Sequence, residues 1–132
     1  MTIFVRIVAT VDPGPRRGQS LGALLRTVHD LNCSWLRAHP EAPPLYASGV
    51  RYRREPREIR EDFATLPVVF ARGCGDCDDL APALSAELVV RHGVAARPVV
   101  RAIRPGLWHC VVELPSGRVL DPSRRLGMRG SG

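Results

Sequence analysis

The stretch "GCGDCDDLAPALSAELVVRHG", residues 73–93, constrains this chain more than any other. It sets Cys74 and Cys77 three residues apart, crowds the second with Asp76, Asp78 and Asp79, and then runs into a helix-forming sequence. The spacing predicts a helix from Asp78 to about Arg91. Asp78 and Asp79 suit its electropositive start, Pro82 falls in the first turns, and Gly93 supplies a left-handed stop. Leu80, Leu84, Leu88 and Val89 give it one buried face, and His92 reads as a helix-end residue beside the last carbonyls.

The flanking sequence reads as a single α+β domain over residues 1–132. Residues 3–9 form a strand closed by "DPGPRRG". Ser20 then caps a helix from Leu21 to about His39, with Leu21, Leu24, Leu25, Val28, Leu31, Trp35 and Leu36 on its core face and Pro40 as its stop. His29 and Cys33 lie beside that stripe and read as packing residues. Residues 40–56 make a long extended connection with a short strand at Val50–Arg53. A short amphipathic helix from Arg57 to Thr65 turns Ile59 and Phe63 inward, and "LPVVFARG" leads as a loop into the cysteine motif. Three strands follow, 95–103, 107–114 and 118–121, separated by the turn signals "RPG" and "PSG". Residues 128–132 read as a disordered tail.

Charge narrows the function classes. The net charge is +6, yet all 19 basic residues are arginine, a pattern of coding bias more than of a cationic face. The densest cluster, "RYRREPREIRE" (51–61), interleaves three glutamates and offers only Tyr52 for stacking, which argues against sequence-specific nucleic-acid binding. No run approaches the length of a membrane span and no signal peptide is recognisable, so a cytoplasmic protein with no membrane partner is the expectation. Four cysteines in such a chain read as reduced thiols.

Three chemistries fit paired cysteines before a helix. A zinc site would draw Cys74 and Cys77 together with His109 and Cys110, but adjacent strand residues point to opposite faces and a second spaced ligand pair is missing. A redox pair needs a strand before the motif, where a loop is expected, and its acidic neighbours oppose a stabilised thiolate. A cysteine nucleophile at Cys77 would draw on the helix N-terminus to favour its thiolate. It needs a histidine and an acceptor to orient that histidine, and His109 and Asp121 stand 32 and a further 12 residues along. A five-residue loop at 113–117 would set His109 directly opposite Asp121; a two-residue turn would set Asp121 opposite Val112. Taken singly, each of the three reads as readily as an inert packing residue.

"GDCDDLA", "HGVAARPVV" and "WHCVVELPSGRVLDPS" together resemble the transglutaminase-like superfamily, over roughly residues 70–123. The acid-rich motif is similar to bacterial transglutaminase-like cysteine proteinases. "LN.SWLRAHPEAPPLY.SGVRYRRE" and "DPSRRLGM" are similar to small phage- and prophage-encoded relatives. The resemblance implies a papain-like core, its nucleophile helix packed on a small antiparallel sheet. It also implies a catalytic triad of Cys77 as nucleophile, His109 as base and acid, and Asp121 as orienting carboxylate. The implied function is acyl transfer, with hydrolysis of a protein or peptide amide favoured over cross-linking and with no required cofactor. In some relatives acidic residues beside the nucleophile bind calcium, and Asp76 and Asp78 hold comparable places. The second oxyanion donor has only Trp35 and Trp108 as candidates. Alternatives are an assembly role in a phage virion, with phage structural proteins as partners, and a cell-wall endopeptidase, whose motif would carry serine where Asp78 stands.

Overall fold

Helix α3 (Cys77–His92) runs through the middle of the structure, a computed structural model that describes residues 5–10, 17–54 and 60–129. Around it stand α1 (Arg17–Ala38), α2 (Leu66–Arg72) and α4 (Pro122–Arg125). The antiparallel sheet on which it packs is formed by β5 (Arg97–Arg104), β6 (Leu107–Glu113) and β7 (Val119–Leu120), in the order β5-β6-β7. Two further pairs complete the α+β architecture. β1 (Arg6–Thr10) runs antiparallel to β3 (Arg60–Ala64), and β2 (Arg51–Tyr52) runs parallel to β4 (Cys74–Gly75).

The one-faced α3 expected from its leucines is buried on every side in its first half, from Asp78 through Ala86. α1 lies along one flank and β5 and β6 along another, and Ala81, Ala83 and Ala86 leave room for both. A helix enclosed in this way carries apolar or small residues all round instead of a stripe. Pro82 sits inside the helix, beyond its first turn, and Gly93 ends it at φ 64°.

α1 begins at Arg17, so Ser20 lies within the helix and caps nothing; the Trp108 ring packs against its first turn at Gly18. Its buried stripe runs Leu21, Leu25, Val28, Asn32, Leu36, which leaves Leu31 at the surface. Asn32 earns its burial through Oδ1, which accepts from the Leu66 N–H at 2.8 Å and so holds the start of α2.

Two expected elements change type. The helix foreseen at 57–65 is the strand β3, in register with β1 from Arg6↔Ala64 to Thr10↔Arg60. Nine residues of apolar spacing suit either period, and cross-strand pairing decides. Phe63 is fully buried as foreseen, while Ile59 lies outside the described residues. The loop foreseen at 66–73 is α2, with Pro67 in its first turn and Gly73 as its cap. Strand β4 then leads directly into α3. Of the other expectations, the start of the first strand, most of the "DPGPRRG" turn and the last three residues lie outside the described residues.

The 40–54 connection is tied down. Glu87 Oε1 accepts from the Leu45 N–H at 2.6 Å, Arg91 donates to the Ala42 carbonyl, and Leu45 and Val50 enter the core. It ends in β2, beside β4.

Candidate active site

The C-terminal hairpin determines where the site forms. Residues 115–117 make its loop: Gly117 N–H returns to the Leu114 carbonyl, and Leu114 N–H donates to the Arg118 carbonyl. Gly117 takes φ 88°, the left-handed residue such three-residue loops call for. The register is therefore Val112↔Leu120 and Glu113↔Val119, neither of the two arrangements weighed from sequence. Asp121 follows one step on, opposite Val111, and so lies diagonal to His109 on the same face. A diagonal neighbour is within reach of a long side chain, and His109 Nε2 meets Asp121 Oδ2 at 2.8 Å.

Pro122 stops β7. It has no N–H for the ladder and opens α4 instead, with Asp121 as the cap. Asp121 Oδ1 accepts from the Arg124 N–H at 3.3 Å and the Arg124 guanidinium lies 3.4 Å from Oδ2. The carboxylate that faces His109 is thus held by a helix start. Ending β7 at Leu120 also leaves the edge of β6 open below Val112. Leu114 N–H points to that edge, and alternation by two puts the N–H of Val112 and of Cys110 there too.

The start of α3 docks at this opening. Asp76 caps the helix in a reciprocal box: its carboxylate accepts from the Asp79 backbone, and Asp79 Oδ2 accepts from the Asp76 N–H at 3.1 Å. Asp79 Oδ1 also takes the Ala64 N–H at 2.7 Å, so one fully buried carboxylate fastens α3 to β3. Cys77, the first helical residue, accepts hydrogen bonds from the Cys110 thiol, the His109 ring and the Cys110 backbone N–H. Because the sulfur sits at the open strand edge, neighbours that point to opposite faces both reach it. The opposite-face argument made from sequence against a shared zinc ion thus does not keep His109 and Cys110 from both meeting the Cys77 sulfur.

The three sequence-predicted residues therefore come together. The Cys110 thiol, then the His109 ring, draw the Cys77 pKa down to about 6 against burial and the Asp76 charge. His109 is pushed up to about 9, first by its bond to Cys77 and then by Asp121, against burial. Near neutral pH the site holds a thiolate beside an imidazolium. Nε2 is taken by Asp121, which leaves Nδ1 to face the sulfur. The His109 and Asp121 side chains are 14% and 20% exposed, so these two are sheltered yet reached by solvent.

No family model, curated protein or solved structure matches the chain. What the site can do is carried by its own geometry.

The remaining candidates distribute unevenly. Cys74 is a free thiol in β4. Among the described residues no group of three or more His, Cys, Asp or Glu gathers as a metal site. Asp76 is committed to the α3 cap, to the Cys77 N–H at 2.7 Å and to the Tyr52 hydroxyl, and Asp78 is buried beside Cys110, so the pair fits calcium poorly. Trp35 stacks on His39 with centroids 4.4 Å apart and Trp108 covers Gly18, so each indole has packing duties elsewhere. Tyr52, which the sequence offered only as a base-stacking residue, stands at the site: burial, then Asp76 and Cys77, raise its pKa. The β2–β4 pairing put it there, a parallel contact of two residues that leaves no mark on periodicity.

Proposed function

We propose that the protein is a cysteine-dependent acyl-transfer enzyme with a transglutaminase-like, papain-like core, hydrolysing an amide in a protein or peptide substrate. The observation that carries this reading is the convergence of Cys77, His109 and Asp121, the His109 ring meeting Cys77 on one side and Asp121 Oδ2 at 2.8 Å on the other, in surroundings that favour a thiolate beside an imidazolium. Cys77 Sγ attacks the amide carbonyl carbon and forms a C–S bond. His109 gives its proton to the departing nitrogen as the C–N bond breaks, which leaves a thioester on Cys77. The neutral ring then takes a proton from water, hydroxide attacks the thioester, and the acid departs with thiolate and imidazolium restored. Asp121 keeps the ring oriented and favours its charged form throughout.

The negative oxygen of each tetrahedral step draws on the electropositive start of α3. There the Cys77 N–H donates to Asp76 Oδ1, so the oxyanion and this carboxylate compete for one donor.

The test is incubation with a mixed peptide library, with and without an added primary amine, read by mass spectrometry. New peptide termini or hydrolysed side-chain amides, absent with Cys77→Ala, are the expected result. Incorporation of the amine in their place would make the enzyme a transferase. A wild-type protein that produces none of these would overturn the reading.

A further inference from the structure

Cys110 makes and breaks no bond in that chemistry, yet its thiol hydrogen-bonds the reacting sulfur and favours its charged form. It is 5% exposed, sits on the core face of β6, and hydrogen-bonds Cys77 with side chain and backbone alike. Among the described residues all four cysteines are free thiols. Of the other three, Cys110 is the one whose thiol and backbone both bond the Cys77 sulfur.

We propose that Cys77 and Cys110 form a reversible modification site for hydroperoxides, in which Cys110 resolves the oxidised Cys77 as a disulfide. The proposal rests on the reading of Cys77 as a reactive thiolate, though not on any amide turnover. In the first step the Cys77 thiolate attacks the terminal oxygen of the hydroperoxide. An S–O bond forms, the O–O bond breaks, and the departing alkoxide or hydroxide takes the His109 proton, leaving a sulfenic acid on Cys77. In the second step the Cys110 sulfur attacks the Cys77 sulfur. The S–S bond forms, the S–O bond breaks, and the Cys110 proton leaves with the hydroxide as water. In total two thiols and one hydroperoxide give a disulfide, water and an alcohol or second water, and a thiol reductant reverses the change.

Order is built into the pair. The Cys110 pKa is held up first by its bond to the charged Cys77, then by burial, then by the Cys77, Asp78 and Asp76 charges. While Cys77 is a thiolate, Cys110 is a neutral donor. Conversion of Cys77 to an uncharged sulfenic acid removes the leading cause, and Cys110 becomes easier to ionise when a target for it appears. Burial shields Cys110 itself from oxidants, so the half-buried Cys77, already charged, reacts first.

The experiment treats the full chain with equimolar hydrogen peroxide and then with dimedone, which traps sulfenic acid, followed by peptide mapping. The wild type is expected to lose two hydrogens in mass, to show a Cys77–Cys110 link, and to lose iodoacetamide labelling of Cys77 until dithiothreitol restores it. Cys110→Ser, with Cys110→Ala as a second variant should either fold poorly, is expected to give a dimedone adduct at Cys77 or a sulfinic acid instead. A wild-type adduct as abundant as that of Cys110→Ser, or a Cys74–Cys77 link, would overturn the proposal. The mapping needs no substrate: a disulfide without amide turnover would defeat the enzyme reading alone, and turnover without a disulfide would defeat this inference alone.

Discussion

Two cysteine–histidine contacts exist among the described residues, and they sit in opposite protonation states. In α1, Cys33 Sγ lies 3.6 Å from His29 Nε2, one helical turn apart, and His29 Nδ1 meets the Ser85 hydroxyl at 2.6 Å. Burial pushes the Cys33 pKa up and the His29 pKa down, so that pair stays neutral. At the start of α3 the shifts reverse for Cys77 and His109. Residue type is the same in both places. What differs is the second nitrogen's partner, a hydroxyl in one case and the Asp121 carboxylate in the other. The sulfurs differ too: Cys33 is in mid-helix, while Cys77 lies at a helix start facing two further donors from Cys110. A cysteine beside a histidine is a packing contact until its surroundings favour charge.

Removing the sulfur separates the two pairs most sharply. Cys77→Ala should lower amide turnover by at least ~10⁴-fold, as loss of a nucleophile does elsewhere. Cys33→Ala should leave the rate near wild type and lower the denaturation midpoint instead, since it opens space in a packed core. Likewise His109→Gln should cost ~10²–10⁴-fold in rate and His29→Gln little, both checked by steady-state kinetics.

A smaller effect tests the carboxylate. Asn caps helices about as well as Asp, so Asp121→Asn keeps the start of α4 while removing the charge that faces His109. The His109 pKa then falls from about 9 toward its ordinary value. The bond to Cys77, the larger cause, remains, so at pH 8 the loss of imidazolium stays below the roughly thirtyfold of a complete return to the ordinary value, and the alkaline limb of the pH–rate profile moves toward acid. In the wild type the sign is fixed by the same two groups. Activity rises with pH as Cys77 ionises near 6 and falls as His109 loses its proton near 9.

Smallest is the effect of Asp76, whose charge raises the Cys77 pKa. Asp76→Asn preserves a capping side chain and should move the midpoint of Cys77 alkylation to lower pH. A shift to higher pH would mean that the cap geometry, and not the charge, dominates.

Local signals carried the legible part. The span of α3 followed from its acidic start and Gly93 and the β5–β6 hairpin from "RPG", whereas the approach of Asp121 to His109 was left open between two loop lengths. The exact register escaped because "PSG" fits several loop lengths, and Gly117 chose among them. β3 and α2 were misread because short apolar runs suit either period until a partner strand or helix arrives. Asn32, Tyr52, Asp79 and Cys110 owe their roles to partners at least 15 residues away or on another element, which no spacing rule sees. Pro122 is the exception in hindsight. A proline two residues past a short strand marked where the sheet edge would open.

Site-resolved alkylation of Cys77 and Cys33 by iodoacetamide across pH, in one sample, tests the central claim most directly. The account predicts a Cys77 labelling midpoint near 6, with Cys33 still unreactive at neutral pH. Cys77 labelling that tracks an ordinary free thiol, or runs parallel to Cys33, would contradict it.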